Sequence, residues 1–414
     1  MSSAAKYYGL TPGEIAARLL SDWWVKQAAR RGPSGARRKV ALVRLDNIGD
    51  FVLWQDTLRG WRELYPPETH ELTVIAQQTW AALAEVPEID RVWPLDRDRL
   101  VRDMAYRRAQ LKSVRQAGFD TVVQVRPGRE LLREDALSRV SGARERIAWA
   151  RPDGGASLLH RLLSERVYSR LVPLVPAEWM ELERNAALVR ALGANGFAAD
   201  VPRLSEDAEC PRELAEQPFY VLFPGADRAE RRWSPVRFAE IARRLHARTG
   251  WLGVVCGGPD DRERGQAIVQ DAQVPMQDWT GRTSLGELAA ILRRARVAVG
   301  NETGGAHLAA SVETPYVCVT GGGHWGRFLP YPPTLAARRR VPLPVVFPMP
   351  CFGCDWKCIY PVAPDEPAPC VENVTVEAVW AQAQAVVLGE THSDEQSEFL
   401  AGGSGADADT ETRE

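Results

Sequence analysis

The sequence predicts an α/β protein whose two parallel-sheet halves face each other across a cleft. Three observations predict it. From residue 39 onward, short apolar runs alternate with longer segments whose apolar residues recur at helical spacing, which is the pattern of strand, crossover helix and parallel strand. The alternation lapses in a proline- and acid-containing stretch before residue 218 and then restarts. A chain of 414 residues is too long for one typical core. The expected divisions are an amphipathic and basic segment at 1–38, halves at 39–205 and 206–388, and a tail at 389–414.

Taken in order, "TPGEIAARLLSDWWVKQAARR" spaces its apolar residues as a helix does and runs into the basic "RGPSGARRK". Two readings stand for it. It lies on an anionic membrane surface with Trp23 and Trp24 at the interface, or it packs on the body of the protein. "VALVRL" reads as the first buried strand, "DFVLWQDTLRGWRELYP" as a helix stopped by proline, and "ELTVIAQ" and "DTVVQV" as further strands. "PAEWMELERNAALVRALGANG" is a helix before the junction. The second half opens on the strand "FYVLFPGA" and the helix "SPVRFAEIARRLHARTG". It continues through "LGVVCGG", "SLGELAAILRRA", "VAVG", "GGAHLAASVE" and "PYVCVTGG" as strand, helix, strand, helix, strand. The tail "THSDEQSEFLAGGSGADADTETRE" is too polar to bury a core of its own.

Charge and composition narrow the function. A net charge of -2 and a pI near 6.4 supply no field for wrapping nucleic acid, so no nucleic-acid partner is expected. No apolar run approaches the roughly 20 residues of a membrane-spanning helix, and the N-terminus lacks the apolar stretch of a signal peptide. The expected place is the cytoplasm, including the inner face of its membrane as a peripheral protein.

Three turns carry chemistry, each where a strand gives way to a helix, the edge at which parallel sheets bind ligands. After the first strand come Asp46, Asn47, Gly49 and Asp50. By periodicity Asp50 caps the helix; by position it faces the cleft as a base. After the strand "FYVLF" come Gly225, Arg228, Arg231 and Arg232 before the helix start Ser234-Pro235, a setting that suits phosphate. After "VAVG" come Asn301, Glu302, Thr303, Gly304, Gly305 and His307. Open amides at a helix start invite a second phosphate contact, whereas the Glu302 carboxylate suits a sugar or ribose hydroxyl. His307 is a ligand contact or a hydrogen-bonded structural histidine. His324 and Arg327, after the next strand, are further cleft candidates.

With these segments in hand, the chain resembles glycosyltransferase family 9, the heptosyltransferase family. The resemblance rests on "NIGD" followed by a helix ending in "LYP", "FPGA…RRWSPVRFAEIARRL", "CGGPDD", "DWTGRTSLGELAAILRRARVAVGNETGGAHLAA" and "TPYVCVTGG", in that order over residues 39 to 385. It implies two Rossmann-like domains facing across a cleft, the glycosyltransferase type B fold, with the nucleotide-sugar held mainly by the C-terminal half. It also implies inverting transfer that requires no metal cofactor. Asp50 would be the general base, and Arg232 with Thr303, Gly304 and Gly305 would hold the donor diphosphate. The family usually has aspartate where this chain has Glu302. The donor implied is ADP-heptose or another nucleotide-sugar, and the acceptor a lipid-linked or cell-surface saccharide. A nucleotide-sugar epimerase of the same fold and a non-catalytic sugar-nucleotide or metal-binding protein are the alternatives.

The loop at 348–372 holds Cys351, Cys354, Cys358 and Cys370 in the spacing C-x2-C-x3-C-x11-C. Four close thiols suggest a structural zinc site, with an iron–sulfur cluster as a second option and reduced, packed thiols as the other reading. In each case the loop is stapled and takes no part in the transfer. Cys210, Cys256 and Cys318 lie in or near apolar strands and read as core.

Overall fold

In the computed structural model, residues 8–33, 35–150, 163–204 and 208–389 are described. The acidic tail from 390 onward lies outside them. Helix α1 (Pro12–Ala28) comes first, started by a Thr11/Glu14 capping box. The first sheet follows: β1 (Arg38–Arg44), helix α2 (Ile48–Gln55), β2 (His70–Gln77), β3 (Arg91–Leu95), helix α3 (Met104–Ala117), β4 (Thr121–Gln124), β5 (Glu145–Trp149) and β6 (Arg170–Val172). Helix α4 (Glu181–Leu192) packs back on α2 and closes this half. The second sheet is made of β7 (Phe219–Phe223), β8 (Leu252–Val255), β9 (Met276–Asp278), β10 (Ala298–Asn301), β11 (Tyr316–Val319) and β12 (Leu343–Val345). Helices α5 (Pro235–Thr249), α6 (Leu285–Arg294), α7 (Gly304–Ser311) and α8 (Val376–Leu388) are interleaved with it or follow it.

Both sheets are six-stranded, and the strand pairings described in them are parallel. Their orders are 3-2-1-4-5-6 and 12-11-10-7-8-9, the same doubly wound plan twice. Each plan reverses direction at one seam, between β1 and β4 in the first sheet and between β7 and β10 in the second. Loops leaving the carboxyl ends of strands at such a seam diverge and open a crevice. The two crevices face each other. One apolar cluster runs from Val40, Phe51 and Trp61 to Val221, Ile291 and Tyr316, so the halves share a continuous core.

Two local expectations need correction. The helix read from "DFVLWQDTLRGWRELYP" begins at Ile48 and breaks at Asp56–Thr57. Thr57 Oγ1 donates to the Trp54 carbonyl at 2.7 Å and accepts from Trp61 Nε1 at 3.1 Å, which settles the chain into a second short helix. Asp50 is therefore the third residue of α2, not its cap. Asn47 holds the N-cap position and makes no capping bond from its side chain. Its Oδ1 instead accepts from Arg97 at 2.8 Å.

Helix α1 lies against α3, with Asp22 bound by Arg107 through two contacts of 2.6 and 2.7 Å, both side chains fully buried. No helix among the described residues is long and apolar enough to cross a membrane.

Candidate active site

Between the facing seams lies a cleft of about 1330 Å³. Asp46, Asn47, Gly49 and Asp50 form one wall; Gly225, Arg232, Glu302, Thr303, Gly304, Gly305 and His307 form the other, with His324 and Arg327 at one side. Three turns far apart in sequence thus meet in one place. Arg228 does not join them: it turns to an ion pair with Glu230 and stands half-exposed, outside the lining. Its neighbour Arg231 takes the inward position. Arg231 Nη2 donates to the Glu302 carbonyl at 2.5 Å, and its guanidinium lies 5.5 Å from the Trp356 ring centre.

The first wall is built on a buried charge network. Arg44, at the end of β1, is fully buried; it contacts Asp46 at 2.9 and 3.0 Å, Asn185 at 3.1 Å and Glu181 at 3.9 Å. Trp80 fixes the Asp46 carbonyl at 2.8 Å. Asp50 sits in front of this network, and its carboxyl is pushed up to about 7. Loss of water is the first cause; the negative charges of Asp46 and Glu181 add to it, and Arg44 and Arg327 oppose it. A carboxyl so placed is half-ionised near neutrality, the condition of a working base.

The second wall is cationic and rich in glycine. Arg232 reaches back to the Ala226 carbonyl at 2.8 Å and keeps its guanidinium in the cleft. A Cβ on Gly225 would fall 2.2 Å from the Asp261 carboxylate, so only glycine lets that turn pass. Buried Asn301 ties the two turns of this wall together, donating to the Pro224 carbonyl at 2.8 Å and accepting from Trp233 N–H at 3.0 Å. Thr303 caps α7 by accepting from Gly305 N–H at 3.3 Å. That bond already engages the Gly305 amide, whereas the Gly304 amide, at the first helical position, has no intrahelical acceptor.

Glu302 is 4% exposed, and neither carboxylate oxygen has a hydrogen-bond partner; the nearest cation, Arg231, is 3.7 Å away. Desolvation is the first cause that pushes its carboxyl up to about 7, with Arg231 opposing. A buried acceptor left open at a cleft wall is suited to a hydroxyl donated by a ligand. His307 stands in the cleft wall with Nδ1 3.0 Å from the Tyr331 hydroxyl, and burial, then Arg231, drives its pKa down to about 3, so the ring is neutral. His324 is likewise held neutral near 4, by burial and then by Arg327 and Arg231.

The sequence reading passed over Glu181 as a site residue. It lies 2% exposed at the start of α4 and receives Arg327 Nε at 3.2 Å, which joins the two halves beside Asp50. Its local partner, Arg184 at 3.5 Å, makes only an ordinary i,i+3 helix pair, and the partners that tie it to the cleft, Arg44 and Arg327, are 137 and 146 positions away. Arg126 and Arg133 also reach the cleft, and Arg97 and Arg184 join them.

The cysteine-rich loop backs the site and lends Asp355 to its lining. Trp356 and Phe352 pack over the turn Gly321–Gly323, where a Cβ on any of the three glycines would meet their rings or Val371 at 2.1 to 2.8 Å. Cys370 is buried and accepts from Gly322 N–H at 3.4 Å; burial first, and the thiols of Cys351, Cys354 and Cys358 in part, raise its pKa. Among the described residues no three His, Cys, Asp or Glu side chains converge as a metal site would require.

Comparison with known proteins agrees with this architecture. The sequence profile of glycosyltransferase family 9 (heptosyltransferase) matches residues 107–340. Lipopolysaccharide heptosyltransferase 3 of Escherichia coli is 24% identical over 287 residues, 66% of this chain and 80% of that protein. A family 9 glycosyltransferase from Veillonella parvula superposes with a TM-score of 0.68 at 18% identity, over 87% of this chain and all of that one. The Escherichia coli ADP-heptose lipopolysaccharide heptosyltransferase II superposes with a TM-score of 0.62 at 18% identity, over 85% and 99%.

Proposed function

The chain belongs to glycosyltransferase family 9, and from that premise we propose that it moves a heptose or similar sugar from a nucleoside diphosphate to a saccharide acceptor, with inversion at the anomeric carbon. The observation that carries this reading is the opposition of walls: a carboxyl poised near 7 faces a cationic, glycine-rich pocket across the cleft. The acceptor hydroxyl gives its proton to Asp50 as its oxygen bonds to the anomeric carbon, and the bond from that carbon to the diphosphate oxygen breaks. Attack from one wall and departure toward the other places nucleophile and leaving group on opposite faces, hence inversion.

A positioned base contributes roughly two to four orders of magnitude to such a step. The diphosphate gains charge as it leaves, and Arg231, Arg232 and the Gly304 amide lie where that charge develops. These groups meet the charge in this reading, so no metal ion is written into the step. Glu302 takes a hydroxyl of the donor's sugar or ribose.

Two of the relatives named above are named as lipopolysaccharide heptosyltransferases, and one of these for ADP-heptose. ADP-heptose is accordingly the first donor to test, and a lipid-linked saccharide the first acceptor. Arg97, Arg126, Arg133 and Arg184 on the acceptor wall favour an acceptor bearing phosphate or carboxylate groups. A structural zinc on the four thiols stays a proposal that needs them drawn closer together than they stand here, as a staple of the loop behind His324 with no part in the transfer.

The test is a thermal-shift series with ADP, UDP, GDP, CDP and dTDP on the wild type and on Arg232→Ala. One nucleotide should raise the melting temperature of the wild type, and its effect should fall about tenfold or more in apparent affinity in the variant, as loss of a charge-assisted phosphate contact predicts. Absence of any shift would remove the donor site from this cleft.

A further inference from the structure

Helix α1 divides its apolar residues between two faces. It turns Ile15, Arg18, Ser21 and Asp22 into the protein, with Leu19 and Val25 half-buried beside them, and turns Leu20, Trp23 and Trp24 outward. The inner face is anchored by polar bonds: Arg18 Nε to the Val101 carbonyl at 2.6 Å, Arg108 to Ser21 at 3.0 Å, and the buried Asp22–Arg107 pair. The outer face leaves Leu20 59%, Trp23 50% and Trp24 59% exposed. The two indoles meet edge to face with centres 5.1 Å apart. A surface helix usually carries one apolar stripe and buries it. This one buries an apolar edge and shows a second, two tryptophans and a leucine left in water, an arrangement that suits a second apolar phase outside.

The rim of the patch identifies that phase. Helix α3 beside it carries Arg108, Lys112 and Arg115 at spacings of four and three, one helical stripe. Arg108 at one end and Arg115 at the other both bond to α1 or its C-cap, at 3.0 and 3.3 Å, which places Lys112 alongside the helix. Lys26 and Arg30 extend the positive edge past the indoles, and α3 itself contains no acidic residue. On α1 the acids are Glu14 at the N-terminus and the buried Asp22.

We propose that this face is a membrane-docking surface for an anionic lipid bilayer. Trp23, Trp24 and Leu20 enter the level of the headgroups and upper acyl chains, and the cationic stripe of α3 lies against lipid phosphates. Tryptophan favours that depth because its ring is apolar and its N–H is not, and clustered cations add an attraction that salt screens. The surface is separate from the cleft and does not depend on which sugar is transferred.

The experiment is flotation of the full chain with vesicles of equal parts phosphatidylglycerol and phosphatidylcholine, or of phosphatidylcholine alone. The wild type should float with the anionic vesicles, lose most of that binding in molar salt, and stay behind with the neutral ones. The triple variant Leu20→Ser, Trp23→Ser, Trp24→Ser should lose about tenfold or more in partitioning while keeping its melting temperature, since all three side chains are exposed. Lys112→Glu with Arg30→Glu should weaken binding to the anionic vesicles and leaves the apolar patch in place as a second check. The proposal falls if the wild type does not float with anionic vesicles or if the triple variant floats as well as the wild type. It falls equally if light scattering shows a dimer that the triple variant abolishes, which would assign the face to a second copy of the chain.

Discussion

Asp50 shows how little at residue scale is owed to the residue itself. An exposed aspartate titrates near 3.8, and this one is driven to about 7 by lost water and by Asp46 and Glu181 behind it. Catalysis by its ionised form should make kcat/KM rise with pH through about 7. Glu302 also titrates near 7, so the cleaner profile is that of Glu302→Gln, in which the remaining limb belongs to Asp50. Asp50→Asn should lower turnover by roughly 10²- to 10⁴-fold while donor binding survives. The same shift has a stability sign. The folded protein holds the Asp50 proton more tightly than the unfolded chain does, so the resulting stability is full below about pH 4 and is lost as pH rises through 7. Asp50→Asn should therefore gain stability over the wild type as pH is raised across that window. Denaturant melts at pH 5 and 8, whose pH values bracket the upper limb near 7, compare the two proteins; a gain that shrinks at the higher pH would contradict the shift.

At the scale of elements, α2 and α7 cross at the floor of the cleft, and glycine sets how closely they approach. A Cβ on Gly304 would stand 2.6 Å from Ile48 Cγ2 and 3.1 Å from Gly49 N; one on Gly49 would stand 3.2 Å from Gly304 Cα. The first turn of each helix thereby brings its own site residues, Asp50 and Thr303, to one crevice. Gly304→Ala should cost about 1–3 kcal/mol by overpacking, measured by chemical denaturation. It should also lower turnover, because a forced separation of the helices moves base and diphosphate pocket apart. The cysteine-rich segment works at this scale too, since Trp356 supports Gly321 and Gly323 behind His324.

For the whole molecule, the feature that joins chemistry to architecture is the bridge from Arg327 in the second half to Glu181 in the first. The Glu181 carboxylate also faces buried Arg44. One charge thus fixes the relation of the halves and helps hold the Asp50 proton. Glu181→Gln should move the limb of the pH profile to lower pH, because a negative neighbour of Asp50 is gone, and should destabilise the fold by up to about 3–5 kcal/mol, the range for breaking a buried pair. A pH titration of kcat/KM together with denaturant melts reads both effects. A profile that stays in place would show that desolvation and Asp46 alone set the Asp50 carboxyl.

Strand and helix alternation and the three strand-to-helix turns were determined by the sequence alone, because apolar period and turn chemistry are local properties of the chain. The edge strands β9 and β12 were not legible: three residues each carry too little pattern. Which arginine of Arg228, Arg231 and Arg232 faces the cleft was decided by tertiary structure, since Glu230 and the Glu302 carbonyl compete for them across the fold. The same holds for the place of Asp50 within α2 and not at its cap, the contacts of Glu181, and the outward tryptophans of α1. Each depends on charges and contacts brought together from distant positions, and a one-dimensional period does not encode which face of a helix the rest of the molecule will cover.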